Sequence, residues 1–301
     1  MKTKSKLLLA LSALTVGTVA AGATGTYAWF TASRTATMTT TVTAKNTRGN
    51  LNIAYYTLDD ISTAKPSTEE QTSSATYTSS SYLSDVSSKD GTTFYAPVWG
   101  AADTPVSYKK TETGYLQFII EITNGGSTPV DVYFDGQNAE ITSEGTNLVK
   151  WTKVAINTLS SKTATFPAND IDASDSTANP GHLVFMNNAG DSTENTNQYV
   201  SEIASEEPDG ETTYEVKSYL GTDQYYSTTA KIPAIPASST GSTEDAKKTV
   251  PYIGTIDQIG HLYIGVSVWM EGTVVNDQNS ASEENVSIEL PFVGFDAAVG
   301  A

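Results

Sequence analysis

Residues 29–44 read WFTASRTATMTTTVTA, and polar and apolar side chains alternate along this stretch. Every odd position from 31 to 43 is Ser or Thr, and only Arg34 and Thr40 interrupt the apolar even positions. Alternation with a period of two is typical of a β-strand that has one buried face. A run so rich in Thr and Ser is also a poor helix former. The stretch therefore predicts an extended N-terminal strand.

Two interpretations of this strand stay open. At about 3.3 Å per residue it would extend over about 50 Å, whereas ordinary strands have about five or six residues. In the first interpretation it is the first strand of its own domain, with a loose polar start. In the second it is a donor strand that completes an open sheet edge of a neighbouring subunit, because backbone pairing provides affinity and alternate side chains fill pockets. The inserted side chains would be Phe30, Ala32, Ala36, Met38 and Val42.

The first 28 residues predict a secretory signal peptide. Three lysines occur within the first six residues, an apolar run follows from residue 7 to about residue 23, and small residues come next. This order indicates export, with cleavage after Ala28 and a mature chain that begins at Trp29. The alternative is a retained membrane anchor, which a run interrupted by Gly17 and Gly22 suits less well.

Composition excludes several classes of function. The chain of 301 residues has a formal net charge of -17, no Cys and two His. A chain without Cys has no disulfide, no Cys-ligated zinc and no Cys nucleophile. Its acidity argues against a nucleic-acid partner, because phosphate binding requires a basic surface. Ser and Thr together make up about a quarter of the residues, which is typical of strands and polar loops.

The remainder of the chain predicts an all-β fold. Ten strand-like runs are separated by clusters of Gly, Asn, Asp, Ser and Pro, and no run predicts an amphipathic helix of ten or more residues. We predict a jelly-roll-like β-sandwich over residues 45–301, with Ser/Thr-rich loop insertions around 62–93 and 160–250. The ten runs are 51–58, 94–99, 115–124, 130–134, 148–156, 182–186, 212–220, 224–232, 260–270 and 285–295.

Two parts of the sequence give more detailed predictions. The runs 115–124 and 130–134 flank the sequence GGSTP, whose glycines tolerate positive φ, so they predict a β-hairpin. The run 260–270 predicts a long strand. Its apolar face would be formed by Leu262, Ile264, Val266 and Val268.

No catalytic pattern is present in the sequence. It contains no His-Glu-x-x-His, no Gly-x-Ser-x-Gly and no glycine-rich phosphate loop. His182 and His261 are each expected at the end of a strand rather than in a shared metal site. Glu271 is the acid that best fits one half of a carboxylate pair, although its simpler role is to end a strand.

Two further stretches have a binding and a structural interpretation. Residues 170–175 carry three aspartates like the start of a calcium loop, but the Gly and Glu of an EF-hand are missing, and a solvated acidic loop is the simpler interpretation. Trp99, Trp151, Tyr225 and Tyr226 would suit either a sugar-binding platform or core packing. We therefore expect no enzymatic activity, no cofactor and no metal.

Three short phrases carry a family resemblance. Residues 25–31, GTYAWFT, resemble the signal-peptide end of the TasA/camelysin family of Gram-positive bacteria, which a signal peptidase of the SipW type cuts. Residues 118–127, FIIEITNGGS, followed by Val130-Asp131-Val132, are similar to a strand and Asn-Gly-Ser turn of that family, and 268–273 are similar to a strand end. The chain differs from the family in its long Ser/Thr-rich insertions and in lacking a charged polar tail.

The resemblance implies a jelly-roll-like subunit of extracellular biofilm-matrix fibres, in which the N-terminal strand inserts into the adjacent subunit. Our first hypothesis is accordingly a non-enzymatic fibre subunit, secreted to the matrix or cell surface. Its partners would be other copies of itself, the signal peptidase during export, and matrix polysaccharide or other matrix proteins, with no nucleic acid and no stable membrane insertion after cleavage. The alternatives are a monomeric secreted adhesin or carbohydrate-binding surface protein and, less favoured, a secreted hydrolase.

The first prediction concerns the mature N-terminus. Edman or mass-spectrometric sequencing of the secreted protein is expected to give Trp29-Phe30-Thr31, because the small residues before Trp29 match the cleavage rule. Exported material that still begins at Met1 would contradict the assignment of a signal peptide.

Overall fold

The computed structural model describes residues 35–46, 51–58, 74–99, 105–143, 147–163, 165–168, 171, 181–187, 197–203, 212–236, 247, 251–273 and 285–297. The predicted signal peptide, its cleavage site between Ala28 and Trp29, and the proposed donor residues Phe30 and Ala32 lie outside these residues.

The described residues form seventeen strands and little helix. One short α-helix, α1, covers Asn147–Trp151, and two 3-10 turns cover Gly136–Asn138 and Thr229–Lys231. The strands are β1 (Thr35–Asn46), β2 (Leu51–Thr57), β3 (Ser74–Tyr82), β4 (Asp85–Val86), β5 (Phe94–Trp99), β6 (Pro105–Thr111), β7 (Leu116–Asn124), β8 (Val130–Phe134), β9 (Glu140–Ser143), β10 (Thr152–Leu159), β11 (His182–Met186), β12 (Gln198–Ile203), β13 (Thr213–Ser218), β14 (Tyr225–Tyr226), β15 (Tyr252–Ile256), β16 (His261–Glu271) and β17 (Val286–Asp296).

Two sheets contain most of these strands. Sheet A has the order β15-β8-β17-β1-β3, and β9 also pairs with β17. Sheet B has the order β14-β11-β10-β16-β7-β2, and β4 also pairs with β16. Within sheet A the only parallel pair among the described strands is β1 with β17, the first and the last of them.

The inner faces of the two sheets share one hydrophobic core. Sheet A contributes side chains such as Val132 and Phe134, and sheet B contributes Phe118, Ile120 and Val266. Alternate residues of β7, β8, β16 and β17 face this core, as the pleat requires. The predicted all-β sandwich is therefore confirmed, and so is the apolar face of the run 260–270, whose four residues all lie in the core. The jelly-roll connectivity stays a prediction.

The outer face of sheet B carries a second apolar layer. Phe94, Tyr199, Tyr219 and Trp269 form a separate buried cluster that lies outside the main core. Phe94 belongs to the hairpin β5-β6 and Tyr199 to the hairpin β12-β13, each of which is a two-stranded sheet of its own. These hairpins cover a face that would be in contact with water in a bare sandwich, and the polar side chains beneath them become buried.

The predicted hairpin of residues 115–134 is wrong. β7 lies in sheet B, where β16 and β2 occupy both of its edges, whereas β8 lies in sheet A between β15 and β17. The connection at 125–129 therefore crosses from one sheet to the other. Asn124 fixes this crossing, because its buried amide donates to the carbonyls of Thr128 (2.8 Å) and Asp257 (3.2 Å) and its side-chain oxygen accepts from the backbone N–H of Gly126 (2.8 Å).

Three other predictions differ from the structure in detail. The run 148–156 is divided between α1 and β10, and the run 224–232 between the two-residue β14 and a 3-10 turn. Within the range predicted as a loop at 62–93, β3 joins sheet A and β4 joins sheet B. Within 160–250, the predicted runs 182–186 and 224–232 contribute β11 and β14 to sheet B. By contrast, the bounds of β5, β8 and β11 agree with the predicted runs. Among the described residues, no helix has the length and apolarity needed to cross a membrane.

The second prediction tests the crossing. Replacing Asn124 by Ala should lower the free energy of unfolding by about 3 kcal/mol, because it removes the three hydrogen bonds that this buried amide makes, each of which contributes about 1 kcal/mol. Denaturant unfolding of the purified protein measures this value. The matched control is Asn138→Ala. The exposed Asn138 amide donates to the Asp135 carboxylate at 2.7 Å, and loss of this exposed bond should cost about 0.5 kcal/mol or less. Equal effects of the two variants would show that Asn124 does not hold the crossing.

Candidate functional site: the strand β1 and its groove

β1 is a strand because its polar and apolar residues alternate, and the structure places the two classes on opposite faces. Met38, Thr40, Val42 and Ala44 point inward and are buried, and three of them belong to the main core. The intervening Thr residues at 39, 41 and 43 are half-buried on the outer face. The structure therefore confirms the predicted alternation over residues 38–44.

Both edges of β1 are paired with backbone. Along one edge, residues 38–46 pair in parallel with residues 286–294 of β17, from Met38 opposite Val286 to Asn46 opposite Gly294. Along the other edge, residues 35–43 pair in antiparallel fashion with β3, from Thr35 opposite Tyr82 to Thr43 opposite Ser74. β1 is thus a central strand of sheet A and not an edge strand.

The space that β1 fills is a groove between β17 and β3, which we call the β1 groove. Its β17 side is apolar, because Val286, Ile288, Leu290 and Phe292 alternate inward and are buried in the same core as Met38 and Val42. Its base is formed by the inner face of sheet B across the sandwich. A strand with small and medium apolar side chains at alternate positions, with backbone donors and acceptors on both edges, fits this groove.

One inward position of β1 is poorly matched to the groove. Thr40 is fully buried, and its hydroxyl oxygen has no hydrogen-bond partner among the described residues. A buried hydroxyl without a partner costs about 1–3 kcal/mol. β1 is therefore bound less tightly in the groove than it would be if all of its inward residues were apolar.

The structure describes only part of the predicted donor strand. Met38 and Val42 are buried in the β1 groove of their own chain, and their insertion into a neighbouring copy stays a prediction. Ala36 lies in β1 opposite Ser81 of β3, and nothing is described of its side chain. Phe30, Ala32 and the cleavage residues Ala28 and Trp29 are outside the described residues.

The run 285–295 was predicted as a strand, but not as the strand that receives β1. The alternation of Val286, Ile288, Leu290 and Phe292 was visible in the sequence as a period of two. Their pairing with β1 was not visible, because it joins residues separated by almost the whole chain.

The two histidines occupy separate places. His182 lies buried on β11, where Nδ1 is 3.1 Å from the Asn157 side-chain oxygen, and burial lowers its pKa to about 4. The imidazole is therefore neutral near pH 7. His261 is half-exposed at the start of β16, with Nδ1 2.6 Å from a carboxylate oxygen of Glu121 on β7. No group of three or more potential metal ligands occurs among the described residues.

Glu121 is a carboxylate with several partners on the outer face of sheet B. The Tyr56 hydroxyl donates to it at 2.5 Å, and the pKa of Tyr56 is raised, first by burial and then by this carboxylate. The pKa of Tyr263 is likewise raised by burial and by Glu121. Among the described residues, the hydrogen bonds and ion pair of this cluster involve the single carboxylate of Glu121.

Glu271 does not lie in a cleft. It is fully buried at the end of β16 and forms an ion pair with Lys153 of β10 at 2.7 Å. Lys153 was not among the predicted site residues, although a lysine within an apolar strand run was the available signal.

The aromatic residues considered for a sugar platform are distributed differently: Trp151 is buried, Tyr225 and Tyr226 are half-buried against core clusters, and the side chain of Trp99 lies outside the described residues. For the calcium-like stretch 170–175, only Ile171 is described.

Comparison with protein-family models, curated proteins and solved structures finds no match to this chain. The resemblance to the TasA/camelysin family accordingly depends on the quoted phrases alone and stays a prediction.

The third prediction concerns Thr40. Thr40→Val should raise the free energy of unfolding by about 1–2 kcal/mol, because Val keeps the shape of Thr and removes the unpaired hydroxyl. Thermal or denaturant unfolding measures the change. Thr41→Val is the matched control, since Thr41 faces outward on the same strand and its replacement should change stability by about 0.5 kcal/mol at most. A destabilised Thr40→Val protein would show that the hydroxyl is satisfied.

Proposed function

We propose that this protein is a non-enzymatic structural subunit of extracellular fibres, in which β1 of one copy fills the β1 groove of the next. The observation that carries this proposal is the place of β1, a central strand of sheet A that is nevertheless the first described element of the chain. Its parallel pairing with β17 and antiparallel pairing with β3 bury alternate apolar side chains. Strand addition of this kind depends on backbone pairing for affinity and on alternate side chains for specificity.

Exchange of β1 between copies preserves the contacts that β1 makes. Burial of a side chain such as Met38 or Val42 contributes about 1.5–3 kcal/mol, and a copy whose own β1 leaves the groove regains this energy when another copy supplies the same strand. Contacts alone therefore do not decide between insertion into the same chain and insertion into a neighbour. The concentration of neighbours relative to the effective concentration of the chain's own β1 decides it.

The geometry of the chain favours an open series of such exchanges. Only four residues, 47–50, separate β1 in sheet A from β2 in sheet B. At about 3.3 Å per residue, the twelve residues of β1 reach about 40 Å. If each copy donates its strand and receives one, the contact is heterologous, and a heterologous contact that does not close produces a filament. The unpaired hydroxyl of Thr40 lowers the cost of releasing β1 from its own groove.

Charge would regulate this assembly. The chain has a net charge of -17, which becomes -20 when the predicted signal peptide and its three lysines are removed, so neighbouring copies repel one another at low ionic strength. Salt screens that repulsion over a Debye length of about 8 Å at physiological ionic strength. Assembly should therefore require salt or another source of cations.

The fourth prediction uses the absence of native cysteine to show which copy supplies β1. Thr39 of β1 lies opposite Thr78 of β3 in the antiparallel register. Opposed residues of this kind have Cα atoms about 4.5–5.5 Å apart, which is within the range that a disulfide spans. Two single variants, Thr39→Cys and Thr78→Cys, are mixed as mature chains, allowed to assemble and oxidised. Donor exchange should give a disulfide between the two variants, visible as a covalent dimer on a non-reducing gel.

The double variant Thr39→Cys/Thr78→Cys provides the complementary control. Oxidised as a dilute monomer, it ties β1 to its own groove and should form no filaments in electron micrographs, whereas the reduced protein should assemble like the unmodified chain. Filaments from the oxidised double variant, or filaments of the mixed single variants without a covalent dimer, would exclude donor exchange. A mature chain that stays monomeric at every concentration and salt level would favour the adhesin hypothesis.

A further inference from the structure

The buried pair of Lys153 and Glu271 has no role in the proposed exchange of β1. Lys153 lies on β10 and Glu271 at the end of β16, on the outer face of sheet B, and neither side chain is exposed to solvent. Lys153 Nζ is 2.7 Å from Glu271 Oε2 and also donates to the Gln198 carbonyl at 2.6 Å. Two charges in a dry site carry a large desolvation cost unless they are neutralised or paired.

Aromatic rings enclose this pair. Lys153 Nζ lies 4.9 Å from the ring centre of Tyr219 and 5.6 Å from that of Tyr225, and these two rings stack on each other at 4.1 Å. Trp269 is fully buried in the same cluster, and its Nε1 lies 3.5 Å from Glu271 Oε2. Burial lowers the pKa of Lys153, against the opposing effect of Glu271. A proton that moves from Nζ to Oε2 along the 2.7 Å contact converts the ion pair into a neutral amine beside a neutral carboxylic acid.

The two oxygens of Glu271 have different surroundings. Oε2 faces the lysine nitrogen and the Trp269 ring N–H, while Oε1 accepts a hydrogen bond from the backbone N–H of Thr273 at 3.1 Å. A backbone N–H placed on a carboxyl oxygen stabilises the negative charge that develops there when a nucleophile adds to the carbon. The carboxyl group of Glu271 therefore has the lysine nitrogen, a possible nucleophile, beside Oε2 and a hydrogen-bond donor beside Oε1.

We propose that Lys153 and Glu271 form an intramolecular isopeptide bond. The Nζ lone pair of the neutral amine attacks Glu271 Cδ, and the Oε1 charge in the tetrahedral intermediate is held by the Thr273 N–H. The Cδ–Oε2 bond then breaks, and Oε2 leaves as water with the acid proton and one amine proton. The products are one amide and one water, and no oxidant, reductant or other reactant is required.

The surroundings of the pair suit the product as well as the reactants. The amide N–H would keep the Gln198 carbonyl as its acceptor, and the amide oxygen would keep the Thr273 N–H as its donor. Two reacting groups held in contact have effective molarities of about 10⁵ M or more, and exclusion of water from the site opposes hydrolysis. The bond would join positions 118 residues apart and bridge β10 and β16 in a chain without Cys. This inference does not depend on the proposed fibre function.

Intact-mass measurement of the denatured full chain, together with peptide mapping, tests the proposal. The mass is expected to be about 18 Da, one water, below that calculated from the sequence, with one branched peptide that contains Lys153 and Glu271. Lys217 and Glu215 provide an internal control, because they are 2.5 Å apart but each is more than 40% exposed, at 46% and 42%. Their peptide should be unmodified.

Two variants separate this bond from other losses of water, such as cyclisation at Asp90-Gly91. Lys153→Arg should show the full calculated mass if the protein folds. Because breaking one side of a buried pair can prevent folding, the double variant Lys153→Met/Glu271→Leu removes both charges, and it should also show the full mass. An unmodified mass for the folded native chain, or a water loss that persists in the double variant, overturns the proposal.

Discussion

The pairing of β1 between β17 and β3 is the contact on which sheet A depends. Two backbone ladders hold it, one to the last described strand of the chain and one to a strand that follows it closely in sequence. Without β1, β17 and β3 would be separated by a gap of two strand spacings, about 10 Å. The core would lose Met38 and Val42 at the same time. An identical strand from another copy is the natural replacement, and this links the stability of the fold to the proposed assembly.

Sheet B has a different construction, because it is buried on both faces over much of its area. Its inner face completes the sandwich core, and its outer face lies under the β5-β6 and β12-β13 hairpins and the aromatic cluster of Tyr219 and Trp269. Polar residues of the outer face are consequently enclosed and must find partners. Lys153 pairs with Glu271, and Asn157 pairs with His182. The chemistry proposed for Lys153 and Glu271 follows from that enclosure, since the same two residues on an open sheet would be a solvated ion pair.

The alternation of side chains predicted the strands well where a strand had one consistent face. β5, β8 and β11 agree with their predicted bounds, and the inner face of β16 was predicted correctly. The prediction failed where local sequence permits several structures. The run 148–156 contains α1, and β3 forms from the Ser/Thr-rich sequence SATYTSSSY because pairing with β1 stabilises it. The sequence of a single segment does not contain this stabilisation, because it comes from a partner strand elsewhere in the chain.

The fold class, the inward and outward residues of β1 and the absence of thiol chemistry could all be read from the sequence, because they follow from side-chain period and composition. Which strands are neighbours became known only from the folded chain. It placed β7 and β8 in different sheets, set β1 beside β17, and brought Lys153 to Glu271. The period of a strand shows which of its side chains share a face. It does not show which strand is the neighbour, because the backbone donors and acceptors are nearly the same at every residue and can pair with any strand of suitable register.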